Sequence, residues 1–206
     1  QHSWSSAVTD TPSDILPDTG CRLPAPDRDA LGAEGKQAYD RLANFQDGAL
    51  LGLRGPTAMS LHSAGVSKHQ TALNNYLRFQ SEIAPATREL AILVAAREVN
   101  SRFEWAAHEA EALKEGVPQA VIDAVKHRKP TDGLADDYAL IIEYGRQALG
   151  ERRVSPEVFA RLNAAYGSRG VTDLAFLIGN YVSLAVFIAT IDAQVPDGNE
   201  AELPVP

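Results

Sequence analysis

Arg88-Glu89-Leu90-Ala91-Ile92-Leu93-Val94-Ala95-Ala96 is the stretch on which the fold turns. It follows Pro85, and proline suits the first turn of a helix because its missing N–H has no intrahelical partner to lose. From Leu90 to Ala96 the segment is apolar on every side of a helical period. Such a helix has no face for water, so it belongs inside a helical domain or at a contact between subunits. Asn100-Ser101 then turns the chain, and Phe103-Glu104-Trp105-Ala106-Ala107-His108 begins a second helix. Ser101 reads as its N-cap with Glu104 at the third helical position, a capping box that gives Glu104 a structural task competing with any chemical one.

Outward from this pair the pattern stays helical, with almost no strand alternation. On the N-terminal side, residues 67–83 read as a helix with Leu73, Tyr76, Leu77 and Phe79 facing inward. Before it lies a short helix carrying Met59, Leu61 and His62, broken by Ala64-Gly65-Val66, and a loop over 48–56. A first helix over 27–44 offers Ala30, Leu31, Ala38, Leu42 and Phe45 to the core. On the C-terminal side, Gly116 closes the second helix of the pair. Helices follow over 117–126, 132–149, 155–166 and 171–193, the last two parted by Gly167 and Gly170. Residues 1–26 hold four prolines and no amphipathic period. They read as an extended N-terminal arm, of a kind that can lie across a neighbouring subunit. Residues 196–206 read as a polar tail. The expectation is one all-α domain over 27–195.

Composition narrows the function classes. The chain has 206 residues, 45% hydrophobic and 22% charged, enough to bury a substantial core in one domain. A formal net charge of -8 argues against a general nucleic-acid or anionic-membrane partner. No apolar run approaches the roughly 20 residues of a bilayer span, and the most apolar segment, 174–186, is interrupted by Gly179, Asn180 and Ser183. With Cys21 alone, neither an intramolecular disulfide nor a CxxC pair can form. A first residue of Gln1 fits both a removed signal peptide, with a periplasmic or secreted protein, and trimmed numbering of a cytoplasmic one.

Glu104 and His108 are one helical turn apart on one face, and Glu89 lies on the helix before them. Taken singly, each has a bland reading: His108 as a hydrogen-bonded core histidine, Glu104 as a cap, Glu89 as a carboxylate near a helix N-terminus. Together, two carboxylates beside an imidazole form a proton-transfer set near neutral pH. Arg54 and Arg97 are candidates to receive an acidic substrate through their forked donors. Trp105, one turn before His108, is a candidate wall, and Tyr181 a candidate hydroxyl. A metal site built on Glu and His at i, i+4 ranks lower, because no second histidine or HExxH pattern accompanies it. No phosphate-binding or dinucleotide motif is present.

Arg88-Glu89-Leu90-Ala91-Ile92-Leu93, then Glu104-Trp105-Ala106-Ala107-His108 and Gly116, resembles the carboxymuconolactone decarboxylase family, whose superfamily includes the alkylhydroperoxidase AhpD. With Leu53-Arg54-Gly55-Pro56 and the later helices, the resemblance spans about 27–195. It implies an AhpD-like all-helical fold assembling as homotrimers or hexamers, with pockets at or near subunit contacts. In the AhpD branch a Glu, a CxxC pair and a His make a redox centre. Those positions fall here on Glu89, Ser101, Glu104 and His108, so the resemblance implies a branch without thiol peroxidase chemistry. The decarboxylase branch implies acid/base chemistry on a lactone acid with no cofactor. Arg54 or Arg97 would hold the acid, His108 would be proton donor or base, and Glu89 or Glu104 would tune it. The expectation is a cofactor-independent lyase acting on a small oxygenated organic acid or lactone. A non-catalytic oligomeric binding protein is the alternative, and a metal-dependent enzyme using Glu89, Glu104 and His108 a more distant one.

Overall fold

The computed structural model describes residues 12–44, 52–195 and 203–204. Its helices are α1 (Ala33–Ala43), α2 (Pro56–Met59), α3 (Ala64–Phe79), α4 (Pro85–Glu98), α5 (Arg102–Lys114), α6 (Gln119–Lys126), α7 (Asp136–Arg146) and α8 (Pro156–Ile191). There is no strand among the described residues, only an isolated bridge between Leu16 and Cys21. The all-α fold class is as the sequence indicates.

Everything is arranged around α4. Nine consecutive residues, Glu89 to Arg97, are buried, which is the all-round apolar pattern realised. Helices α5, α6, α7 and α8 all pack against it. Complete burial of Leu90, Ile92 and Leu93 contributes about 1.5–3 kcal/mol each. Pro85 occupies the first turn as expected. Ser101 caps α5, and Gly116 follows its end at φ +92°, a backbone state that glycine adopts without steric cost. The contact of α7 with α4 depends on Gly145: a Cβ there would collide with the Val94 side chain.

Several boundaries differ from the expectation. The first helix is split into a single 3-10 turn (Arg28–Ala30) and α1, and Phe45 lies outside the described residues. Ala64-Gly65-Val66 opens α3 rather than breaking a helix. The break is one residue earlier, at Ser63 (φ -126°, ψ 88°). Of the inward residues assigned to α3 only Leu77 is buried, while Leu73 and Phe79 are exposed. Helix α7 ends in a wider π turn over Gln147–Glu151. Gly167, at φ 62° and ψ 176°, bends α8 into two, but Gly170 sits within the second part.

The second part of α8 is long and apolar enough to pass for a membrane span by composition. It buries Leu174, Leu177, Ile178 and Tyr181 in the same core as α4, together with two polar residues. The Tyr76 hydroxyl donates to Asp173 and the Asn180 amide donates to Asn74 at 3.1 Å, both from or to α3. Those bonds make it the second central helix of the domain.

The described part of the N-terminal segment is folded onto its own chain. Cys21 is fully buried with Ala58, Met59 and Ile191 in a small second core. The Arg22 N–H donates to Ile191 O at 2.8 Å, and the Gln194 N–H to Gly20 O at 2.8 Å. Residues 12–26 therefore extend the domain instead of forming an arm apart from it. At the other end Leu203 is buried in the main core, so that part of the expected tail is structural too.

Gly145→Ala is expected to destabilise the fold by about 1–3 kcal/mol through overpacking against Val94. Urea denaturation of the pair of proteins checks it, and a midpoint equal to that of the parent would refute the close approach of α4 and α7.

Candidate functional site

Glu89 comes from the second turn of α4, and Glu104 and His108 from successive turns of α5. The packing of α4 on α5 brings the three together, and α8 adds Tyr181. His108 Nδ1 lies 2.7 Å from Glu89 Oε2, with both side chains almost fully buried. On the other side of the ring, Nε2 is 3.7 Å from Glu104 Oε2. The Tyr181 ring meets the imidazole edge-on, centroids 5.0 Å apart at 86°, which fixes the ring plane.

Glu89 is satisfied on both oxygens. Oε2 faces His108, and Oε1 accepts from Arg88 Nε at 3.0 Å, with the Arg78 guanidinium 3.9 Å away. Burial works to raise its pKa, but the His108 hydrogen bond and charge, then Arg88 and Arg78, outweigh it and hold the carboxyl below its ordinary value. With Glu89 ionised, the proton of the short contact belongs on Nδ1. In the neutral ring Nε2 is then an acceptor aimed towards Glu104. This tautomer follows from the contacts.

Glu104 is the opposite case. Ser101 Oγ accepts from the Glu104 N–H at 3.4 Å, so half of the capping box exists. The Ser101 N–H, however, donates to Ala96 O at 2.8 Å, which leaves no role for the Glu104 carboxyl as a cap. The carboxyl turns inward. Burial raises its pKa to about 8, against a lowering pull from Arg78. At neutral pH it is a carboxylic acid able to donate a proton.

Glu104, His108 and Tyr181 form one end of a cavity of about 570 Å³. Leu42 and Arg41 of α1 make one wall, residues of α3 another, and Gly55 and Pro56 close a third side. Arg78, at the last turn of α3, also lines it. Its Nε has no hydrogen-bond partner among the described residues, although the group leans on the Phe79 ring at 5.1 Å.

The remaining expected site residues lie elsewhere. Arg54 reaches Pro17 O at 3.3 Å on the protein surface, where it braces the N-terminal segment. Arg97 sits at the far end of α4, donating to Asn100 Oδ1 at 3.0 Å and Pro204 O at 2.6 Å, so it anchors the C-terminal residues. Trp105 is fully buried in the core with Lys126 Nζ 5.7 Å from its ring, away from the cavity. On a helix, a residue three before His108 points to a different side than one four before it, and that difference separates Trp105 from Glu104. Arg78 is the basic residue that the sequence reading passed over. It becomes visible only when α3 folds back beside α4: Arg88 donates to Arg78 O at 2.7 Å and ties the two helices. Because Glu89 and Glu104 flank opposite nitrogens of one ring, a single ion could not bind both carboxylates and His108 as placed. Among the described residues no group of three metal-binding side chains converges.

Between pH 4.5 and about 8 the unfolded chain releases the Glu104 proton and the folded one keeps it. Folding stability therefore falls as pH rises through that window. Glu104→Gln is expected to stabilise the protein by roughly 3 kcal/mol at pH 7, with the gain vanishing below pH 4.5. Thermal melts of both proteins across pH check this, and a pH-independent difference would refute a buried neutral acid.

Residues 64–139 match the model of the carboxymuconolactone decarboxylase family. No curated protein matches the chain. Among solved structures, a protein of Ralstonia eutropha JMP134 described as an alkylhydroperoxidase AhpD core, an uncharacterized peroxidase-related protein, superposes with a TM-score of 0.70. It is 17% identical, over 91% of this chain and 98% of that one, a likeness of fold. The matched segment contains α3, α4 and α5, and with them Arg78, Glu89, Glu104 and His108.

Proposed function

We propose, from the match of residues 64–139 to the carboxymuconolactone decarboxylase family model, that the chain is a cofactor-independent lyase acting on a small oxygenated organic acid or lactone. One observation carries the reading: Glu89, His108 and Glu104 stand in line, with His108 and Glu104 lining a cavity, and their surroundings favour an ionised Glu89 and a neutral Glu104. In decarboxylation the C–COO⁻ bond breaks, CO₂ leaves, and the electron pair passes into an adjacent carbonyl as an enolate. A proton must then reach carbon. Arg78, the guanidinium at the reaction end of the cavity, takes the anchoring part assigned from sequence to Arg54 or Arg97. Glu104 holds the proton to be delivered, and the carboxylate it becomes lies in the field of Arg78. His108 Nε2 collects a proton from solvent and returns it to Glu104, while Glu89 fixes the ring and stabilises the imidazolium formed on the way.

Thiol peroxidase chemistry is set aside on the residues of the chain itself. It requires a thiolate nucleophile and a resolving thiol. Ser101 and Glu104 stand where the AhpD resemblance would put them, and the one cysteine in the sequence is buried in the second core.

His108→Ala and Glu89→Gln are each expected to lower kcat at least about 100-fold on any substrate found by a turnover screen of lactones and oxo acids. Activity of the parent should fall as pH rises past about 8, where Glu104 loses its proton, and Glu104→Gln should abolish that limb together with most of kcat. Normal turnover in both His108→Ala and Glu89→Gln sinks the lyase. A parent without turnover whose His108→Ala variant is merely less stable is a binding protein instead.

A homotrimer or hexamer is part of the same proposal. It is supported by the exposed face of α8, where Phe176, Gly179, Ser183, Val186 and Thr190 recur at alternating spacings of three and four, as in a helix seam. Light scattering should return three or six times 22.1 kDa. A monomer at micromolar concentration would remove this part.

A further inference from the structure

Helix α3 is built inside out. Its outward side carries the exposed Val66 and Leu73, while the exposed Phe79 stands at the rim of the cavity beside Arg78. Its cavity side carries Ser67, Gln70, Thr71, Asn74, Asn75 and Arg78, at i, i+3, i+4, i+7, i+8 and i+11 of a single helical face. A face made to meet water favours charged residues on long stems. This one holds five uncharged hydrogen-bonding side chains and a single cation, at the end beside the Glu89–His108 pair. Among the described residues, no protein partner engages the side chains of Ser67, Gln70, Thr71 or Asn75 in a hydrogen bond, and Asn74 only accepts, from Asn180. That acceptance leaves the Asn74 amide with both N–H donors unused. The row therefore presents hydroxyl and amide groups, donors and acceptors alternating, along a cavity whose volume equals that of roughly twenty liquid waters. A short acid held at Arg78 leaves most of that row and volume without a ligand.

We propose that the α3 face is a recognition subsite for the hydroxyl groups of a polyhydroxylated carboxylic acid or its lactone, with the acid group seated at Arg78 and the carbon chain running along Asn74, Asn75, Thr71 and Gln70. The chemistry selects this class because several neutral donor–acceptor groups in a row match successive hydroxyls, each of which both donates and accepts. A site of this kind discriminates against an analogue that lacks the hydroxyls, since polar groups covered by that ligand lose water and gain nothing. The inference rests on the reading of Glu89, His108 and Glu104 as the reaction centre, which sets the end at which the acid group lies.

The test is calorimetric titration of the full chain with three probes: gluconate, hexanoate and sorbitol. Gluconate has both charge and hydroxyls, hexanoate the charge and chain length alone, and sorbitol the hydroxyls alone. Gluconate is expected to bind at least about 10-fold more tightly than either control. In the Gln70→Ala/Asn75→Ala double variant, gluconate should weaken about 10-fold or more, towards hexanoate, while hexanoate is unchanged. Arg78→Gln should weaken both acids. Gln70 and Asn75 are not buried, so the double variant should keep its fold, and a thermal melt confirms that. Equal affinity for gluconate and hexanoate overturns the proposal, as does an unchanged gluconate affinity in the double variant, or no binding of any probe. The same titrations on His108→Ala separate the two readings. Intact discrimination with no turnover by the parent on any acid or lactone removes the lyase and leaves the subsite standing. Turnover without discrimination does the reverse.

Discussion

A carboxylate in the middle of the most apolar helix is the constraint that the rest of the structure answers to. Glu89 is buried on α4, a helix without a solvent face, and it stays ionised there only because it is paired, since burial alone favours the neutral acid. Three partners from three directions compensate it: His108 from α5, Arg88 from its own helix and Arg78 from α3. Each partner fixes the position of an element. The His108 contact sets how α5 lies on α4, and Arg88, bonded at once to Glu89 and to the Arg78 carbonyl, sets where α3 ends. Removing a partner leaves a buried charge behind, which makes this small network costlier to disturb than its few bonds suggest.

Glu104 shows the other solution to the same problem. Burial without a hydrogen bond to its carboxyl among the described residues keeps it protonated rather than charged. Two glutamates within reach of one imidazole are thereby pushed to opposite states: hydrogen bonds from His108 and Arg88 hold one ionised, and burial keeps the other neutral. Such a divided pair is what acid/base chemistry at neutral pH needs. It is also a destabilising arrangement, and an apolar core as large as that around α4 is what lets the fold tolerate it.

Much of this was legible in the chain. The all-apolar run after Glu89, Pro85 at the helix start, Ser101 as cap and Gly116 as stop each act through local chemistry, so the helices they delimit could be placed closely. The i, i+4 spacing put Glu104 and His108 on one face, where they are. Helix α3 was misread because a polar stripe and an apolar stripe of equal length specify an amphipathic helix but not which side faces in. Leu73 and Phe79 have core-type side chains yet are exposed, Phe79 at the cavity rim, and most of the face that lines the cavity is polar. The arginines failed for a related reason. A long flexible cation has no signature of its destination, and Arg54 and Arg97 were singled out by motif and proximity in sequence. Their partners, Pro17 O and Pro204 O, are 37 and 107 residues away.

The sequence by itself determined an all-helical chain, a central helix with no solvent face, and the placing of Glu104 and His108 on one face of the next helix, because helix periodicity and capping depend only on near neighbours. Tertiary structure alone decided which cation joins them, that the Glu104 carboxyl is an acid and not a cap, and that α3 turns its amides towards a cavity. Those outcomes depend on desolvation and on contacts between helices distant in sequence, and a residue's environment comes into being only when the helices pack.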